Sequence, residues 1–593
     1  MIESLPRRRH LARLLPVLLL PALAACGAQG RVASTAPAAA PVTLGIIALN
    51  DFHGALEPPR TAVLVPDGKG DARPVPAGGA AWLASAVDSL RAQYQHSATV
   101  AAGDLISASQ IASSLFLDEP AIGVMNRIGL DFNAVGNHEF DHGTDELLRK
   151  QSGGCAQHTA RKPCQVEPFP GAKFRFLSAS TYKADGTTLF PASGLRSYGK
   201  GKRRVEVGFI GLTLKGTPSL VAPEGIRGLT FGDEASAINA EAARLRRGGA
   251  DAVVVMIHQG GYTSGLPNPD GCANLTGEIR PILDRLEGGV DVVVSGHSHW
   301  AYVCEYGAIN PERPVLLTSA GVYGQLVTDI TLEIDPKQGR VVARRARNVV
   351  VQSDPYVSPR GPVETAADLP RFTPRPDVAA YVGKYVDAAR DYAQRPVGRL
   401  GGPVARGEVA GIGNQGGSLG NLIADAQLAA TTGAGAQIAF MNPFGIRAPL
   451  NPAADGALTF GAIYASQPFN NTLVTQSLTG AELKAVLEQG FDDDGPHQVL
   501  APSAGFTYQI DRSRPIGQRI TAMALNGQPI DPAATYRVTT NSFLAGGGDS
   551  FTVFTRGRDS VSGMPDIDAL EAWLKAVPPR PVPSEERVTR ADR

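Results

Sequence analysis

From Val42 to about Val351 the chain alternates between two kinds of segment. Short apolar runs rich in Val, Ile and Leu (VTLGIIAL, ATVAA, FNAVG, FRFLSAS, VEVGFIGL, AVVVMI, DVVVSG, VLLTSA) read as strands. Their near-continuous hydrophobicity fits strands covered on both faces. Between them lie stretches of helical spacing such as Ala80–Gln95 and Ser236–Arg247. The alternation predicts an α/β domain over 42–351, with helices covering a sheet core. Residues 352–376 are proline-rich and aperiodic, which predicts an interdomain connection. Val378, Tyr381, Val382 and Tyr385 then fall at helical spacing behind Asp377 as a cap, so the linker 352–396 includes a helix over 377–395. A second α/β domain is expected over 397–578. The polar, proline-rich residues 579–593 read as a disordered tail.

Composition narrows this picture. A chain of 593 residues is too long for one core. Lys+Arg and Asp+Glu balance at 56 each, so no bulk charge points to a nucleic-acid polymer. Nothing in the pattern calls for an obligate protein partner. Residues 1–26 have the layout of an export signal: Arg7-Arg8-Arg9, an apolar stretch from Leu11 to Leu23 too short to span a bilayer, then Ala24-Ala25-Cys26. The small residues before Cys26 resemble the lipobox of bacterial lipoproteins. That resemblance implies a lipid on Cys26, membrane attachment and a periplasmic or cell-surface location, with 27–41 as a flexible tether. The four remaining cysteines suggest two disulfides in an exported protein. Three pairings are open; neighbour pairing, Cys155 with Cys164 and Cys272 with Cys304, is the expectation.

The chemistry concentrates at the ends of the apolar runs. Asp51-Phe52-His53, Asp104, Asn137-His138, His258 and His297-Ser298-His299 each follow one, and they hold five of the chain's 10 histidines. Ligands just past strand C-termini are where open α/β sheets place their sites. Residues two apart in an extended Asp-x-His point the same way, so Asp51 and His53 share a face, as do His297 and His299. Imidazoles with carboxylates suit two divalent ions such as Zn²⁺, Mn²⁺ or Co²⁺, and a pair of such ions can clamp an in-line displacement.

In order, DFHG, GD, GNHE, H and GHSH resemble the signature of calcineurin-like metallophosphoesterases, whose domain is a four-layer αββα fold. The resemblance implies Asp51, His53 and His299 on one metal. It puts Asn137, His258 and His297 on the other, with Asp104 bridging. His138 would stabilise the phosphoryl oxygens, oriented by Asp141. The second domain resembles the C-terminal, nucleotide-binding domain of bacterial 5′-nucleotidases and UDP-sugar hydrolases through SLGNLIADA, NPFGIR, PFNNTLV and the stretch Asn541–Phe551. Phe469 and Phe543 lie on loops, where an aromatic can stack on a base. Asp549 follows three glycines and suits a ribose diol. Arg406, Asn442, Arg447 and Asn471 match family substrate contacts. Many relatives carry a second arginine shortly after the position of Arg406; nothing here matches it.

The reading is an exported two-metal phosphoesterase that hydrolyses nucleoside 5′-monophosphates to nucleoside and phosphate. A 2′,3′-cyclic-nucleotide phosphodiesterase/3′-nucleotidase and a UDP-sugar hydrolase use the same parts. A surface nucleotide-binding lipoprotein is the non-enzymatic alternative.

Overall fold

The computed structural model describes residues 40–591 apart from 67–70, 160, 266–270, 359–360, 410–412, 470, 493–496 and 584–585. The signal segment and Cys26 lie outside the described residues. Two six-stranded sheets face each other in the first lobe. One runs, edge to edge, Arg340–Val350, Leu326–Asp335, Val42–Leu49, Ser97–Ala101, Phe132–Ala134, Arg175–Leu177. The other runs Ala301–Glu305, Leu316–Ala320, Val292–Ser295, Ala252–His258, Val205–Thr213, Ser193–Tyr198.

Strand periodicity explains the layering. Leu44, Ile46 and Ala48 join Val254, Met256 and Val294 in the core between the sheets. Their neighbours Ile47 and Leu49 instead pack against the helices Ala80–Arg91 and Glu119–Ile128. Val253, Val255 and Ile257 face the helix Glu234–Arg247 on the opposite side. Alternate side chains thus bury both faces of each sheet, and the result is the expected αββα stack.

The second lobe holds a five-stranded sheet in the order Ala501–Pro502, Ile438–Met441, Thr535–Asn541, Thr472–Thr479, Arg558–Pro565. A four-stranded sheet lies beside it. Between the lobes runs the helix Pro376–Gln394. Its Val378, Tyr381, Val382 and Tyr385 pack into the first-lobe core, as their spacing predicts. Near its C-terminal end the ring of Tyr392 meets Phe460 of the second lobe at 4.6 Å.

Two expectations need correction. The helix begins two residues earlier than Asp377 as a cap implies: Arg375 is the cap and Pro376 enters the first turn, a position where a missing N–H costs nothing. Asp377 instead accepts from Arg375 Nε at 2.8 Å. The proline-rich connection lies along the first lobe, where Ser353 N–H donates to the Pro76 carbonyl and Ser85 Oγ to that of Thr373 at 2.5 Å. Finally, the tail is not without structure. Val588–Arg590 adds a parallel strand to Phe506–Ile510, and buried Arg587 forks onto Asp425 at 2.7 and 2.9 Å. The long-range partner of a strand so short is invisible in its own sequence. Both expected disulfides, Cys155–Cys164 and Cys272–Cys304, are formed.

Candidate metal centre

The strands Val42–Leu49, Ser97–Ala101 and Phe132–Ala134 run parallel in one sheet, and Ala252–His258 and Val292–Ser295 run parallel in the other. Their C-terminal ends bring five segments to one place. Two donor groups form there: Asp51, His53 and His299, and Asp104, His258 and His297, each with its ligand atoms within 4.8 Å of one another. His53 Nε2 faces His299 Nε2 at 3.2 Å, and His258 Nε2 lies 3.1 Å from Asn137 Oδ1. Asp104 Oδ2 sits 2.9 Å from His258 Nε2 and 3.8 Å from His53 Nε2. One carboxylate oxygen therefore reaches both groups.

The imidazole tautomers fit metal ions. His53 Nδ1–H donates to the Ser107 carbonyl at 2.9 Å, and His258 Nδ1–H to that of Ala102 at 2.8 Å. Each ring thereby turns its Nε2 inward, as orienting hydrogen bonds do around metal ligands. Asn50 fixes Asp51 by donating to Oδ2 at 2.8 Å and to the Gly321 carbonyl at 2.7 Å.

The backbone departs from the extended Asp-x-His expectation. Asp51, His53, Asp104, His297 and His299 all have positive φ, between 48° and 68°. Left-handed turns, not a strand pleat, aim these pairs at a common point. Non-glycine residues in that region carry strain of roughly 1–3 kcal/mol each, tolerated where the surroundings impose it and typical of functional sites. The glycines beside them serve two purposes. Gly103 adopts φ +86°, whereas Gly136 is needed for room: a Cβ there would lie 2.1 Å from Asp104 Oδ1.

Burial and charge set the protonation states. His297 is pushed down to about 3, first by burial and then by the neighbouring His258. Burial would lower His258 too, but the Asp104 carboxylate reverses this and raises it to about 10. Asp104 itself stays well below the usual carboxylate range, because His258 and His138 outweigh its burial. His138 Nδ1–H donates to Asp141 Oδ2 at 2.8 Å. Burial works against its proton, yet the Asp141 and Asp104 carboxylates leave its pKa raised overall.

Glu139, inside GNHEFD, is a positioning residue that reading for ligand types passes over. Its buried carboxyl accepts the backbone N–H of Asp104, Leu105 and Gly136 at 2.9, 2.9 and 2.7 Å. It thereby fixes the turn that carries Asp104. Burial, then the nearby Asp104 carboxylate, push it up to about 8.

The second lobe reaches the same place. The Phe469 ring stacks on His138, centroids 5.6 Å apart and planes within 14°. The Arg447 guanidinium lies 5.9 Å from the centre of the Phe469 ring, and its buried Nη2 has no hydrogen-bond partner among the described residues. Arg406 and Arg447 line a cavity of about 330 Å³ with Gln415 and, among the described residues, no carboxylate. Arg406 and Arg447, from two different loops, thus place two positive charges at one cavity. Phe543 lies against Gly548, where a Cβ would come within 2.5 Å of its ring. Asn442 donates its amide to Asp549 Oδ2 at 2.7 Å and accepts from Asn541 at 3.0 Å. Asn471 Oδ1 accepts from Ser542 at 3.4 Å, tying the Phe469 loop to the short helix Ser542–Ala545, which carries Phe543 in place of the expected loop.

Burial raises Asp549 to about 6 despite the Asn442 hydrogen bond and Arg447. As pH falls through about 6 it gains a proton and stops being an acceptor-only group. If Asp549 receives ribose hydroxyls, the KM for a nucleotide rises below that pH relative to the KM for a small phosphate ester, which cancels effects on the metals. The ratio of the two constants, measured from about pH 5 to 8 so as to bracket that titration, checks this. Asp549→Asn should raise the ratio at neutral pH and flatten its profile. An unchanged profile in that variant would assign the titration elsewhere.

Fold and donor set together define a class, the metal-dependent phosphoester hydrolases. Residues 44–301 match the family model for calcineurin-like phosphoesterases, and residues 396–556 the one for the 5′-nucleotidase C-terminal domain. The chain belongs to the 5′-nucleotidase family, which joins these two domains. It is 30% identical over 540 residues to the endonuclease YhcR of Bacillus subtilis, covering 90% of this chain but only 40% of that protein. The cell wall protein Lmo0130 of Listeria monocytogenes is 28% identical over 573 residues, 91% of this chain and 68% of its own length. Among solved structures, the 5′-nucleotidase precursor from Thermus thermophilus superposes with a TM-score of 0.70 at 26% identity, covering 93% of this chain and all of that one.

Proposed function

We propose that this protein is a two-metal 5′-nucleotidase that releases phosphate from nucleoside 5′-monophosphates. One observation carries the reading: the paired donor groups of the first lobe and the Phe469–Arg447 pair of the second meet at His138. A phosphate ester joined to a flat base needs both halves. Asp51, His53 and His299 would hold one divalent ion, and Asn137, His258 and His297 the other, with Asp104 shared. When bound, such ions supply Lewis acidity and a template for in-line displacement at phosphorus; Zn²⁺, Mn²⁺ and Co²⁺ all suit these donors.

The chain's own residues do the rest. Asp141 orients His138, whose Nε2–H donates to the phosphoryl oxygens as charge builds on them. Arg406 and Arg447 neutralise the phosphate. Phe469 and Phe543 stack on the base, and Asp549, held by Asn442, accepts from the ribose.

The two disulfides support export into an oxidising compartment. Among the described residues no helix is long and apolar enough to cross a membrane. Attachment would then rest on a lipid at Cys26.

A phosphate-release panel of AMP, UMP, 3′-AMP, 2′,3′-cyclic AMP, UDP-glucose and ATP after metal reconstitution tests the reading. AMP and UMP should be the best substrates. A preference for 2′,3′-cyclic AMP or UDP-glucose would replace it with a neighbouring activity, and metal uptake without any turnover would favour a binding protein. Phe543→Ala should raise the KM for AMP by roughly 5- to 100-fold, the worth of one base–aromatic stack. Hydrolysis of a small chromogenic phosphate ester should change less than about twofold, since it makes no such stack. Equal losses on both substrates would make Phe543 a packing residue.

A further inference from the structure

A buried polar relay crosses between the lobes beside the metal centre. Its first-lobe member is Ser114, 4% exposed, at the end of the short helix Ile111–Ser114. Its second-lobe member is Tyr464, 3% exposed, on the helix Phe460–Ser466. The two hydroxyls are hydrogen-bonded to each other. Tyr464 O–H donates onward to the Pro468 carbonyl at 3.0 Å. Arg161, on the loop closed by the Cys155–Cys164 disulfide, donates to the Ser114 carbonyl at 2.5 Å and to Ser114 Oγ at 3.1 Å. Its other terminal nitrogen reaches the Tyr464 oxygen at 3.5 Å.

Donor counting gives the relay one direction. A guanidinium only donates and a carbonyl only accepts, so the two hydroxyls between them must each accept from the Arg161 side and donate toward Pro468. Each member is fixed by the next, and a lost hydroxyl leaves buried groups unpaired, which is costly.

Both ends of the relay touch the site. Pro468 precedes Phe469, whose ring stacks on His138. On the other side, Ser107 N–H and Ser113 Oγ both donate to Asp118, at 3.0 and 2.7 Å. The segment 107–118 is thereby braced as one piece, and its Ser107 carbonyl orients His53. The relay therefore sets the Phe469 loop against the same segment that aims a predicted metal ligand.

We propose that Tyr464 is a positioning residue that registers Phe469 on His138, with Ser114 and Arg161 as its anchors in the first lobe. Its role in substrate selection rests on the nucleotide reading given above; its role in placing Phe469 does not. Among the described residues, none of the relay's hydrogen bonds goes to a metal-ligand side chain, so its loss should act on nucleotide affinity and not on the chemistry of a small ester.

Tyr464→Phe in the full-length, metal-loaded protein keeps the ring and removes the hydroxyl. It should raise the KM for AMP by about 5- to 20-fold with kcat changed less than about threefold, the pattern of lost binding without lost chemistry. A small chromogenic phosphate ester should be hydrolysed within about twofold of the parent rate. Ser114→Ala, which leaves the tyrosine itself intact, should move KM the same way. Histidine-selective isotope labelling supplies a readout that needs no substrate. The His138 ring resonance feels the ring current of Phe469, and Phe469→Ala marks its value without the stack. In Tyr464→Phe and Ser114→Ala that resonance should shift toward the Phe469→Ala value. An unmoved His138 resonance in both variants overturns the proposal, whatever the kinetics. If the parent enzyme turns over no nucleotide, the nucleotidase reading fails alone, and the resonance still decides whether Tyr464 positions Phe469.

Discussion

Replacing Asp104 with alanine is expected to lower kcat by at least ~10³-fold, a barrier change of several kcal/mol. The metal content should fall from two ions per chain to at most one. The expectation rests on geometry. Asp104 Oδ2 lies within 3.8 Å of one donor group and 2.9 Å of the other, and it is the one carboxylate of the second group. Its Oδ1 accepts the His138 N–H at 3.0 Å, so its loss also loosens the turn that carries His138. Asp104→Asn keeps the shape but removes the negative charge shared by two cations, and should lose nearly as much. Metal analysis alongside steady-state kinetics checks both. An Asp104→Ala protein that holds two ions and works within about tenfold of the parent would require a different bridge.

His138→Gln should leave the metal content intact and cost roughly 10²–10³-fold in kcat, the worth of one oxyanion donor. His138 belongs to neither donor group. Its Nδ1 is committed to Asp141 and its ring to Phe469. Asp141→Asn should lose less, because the imidazole remains while its orientation and its proton are held less firmly. The small ester is the informative substrate here, because it reports the phosphoryl chemistry without the base clamp. Loss of metal in His138→Gln would make His138 a ligand and reverse the assignment.

Much of this protein is local, and what is local was legible. The double burial of VTLGIIAL or AVVVMI follows from their composition, so the layered α/β core could be read strand by strand. The donor segments could be read for the same reason. A ligand must follow closely on the strand that delivers it, so DFH, GD, GNH, H and HSH each announce themselves within a few residues. The helix behind Pro376 showed its buried face through the spacing of Val378, Tyr381, Val382 and Tyr385.

What only the tertiary structure decided depends on contacts between distant parts of the chain. That Asp51 and His53 converge through left-handed turns, and not through a pleat, is a property of the backbone that the residue types do not encode. Glu139 gains its role from three N–H groups, two of them over thirty positions away. Arg447 stands beside Arg406 only because two loops meet at one cavity. The tail finds its strand partner far back along the chain. Phe469 meets His138, and Tyr464 meets Ser114, only because the lobes pack against each other. Sequence determines which groups a protein can offer through short-range periodicity and motif. Their mutual distances are fixed by burial and long-range hydrogen bonding, and those are settled only when the whole chain has folded.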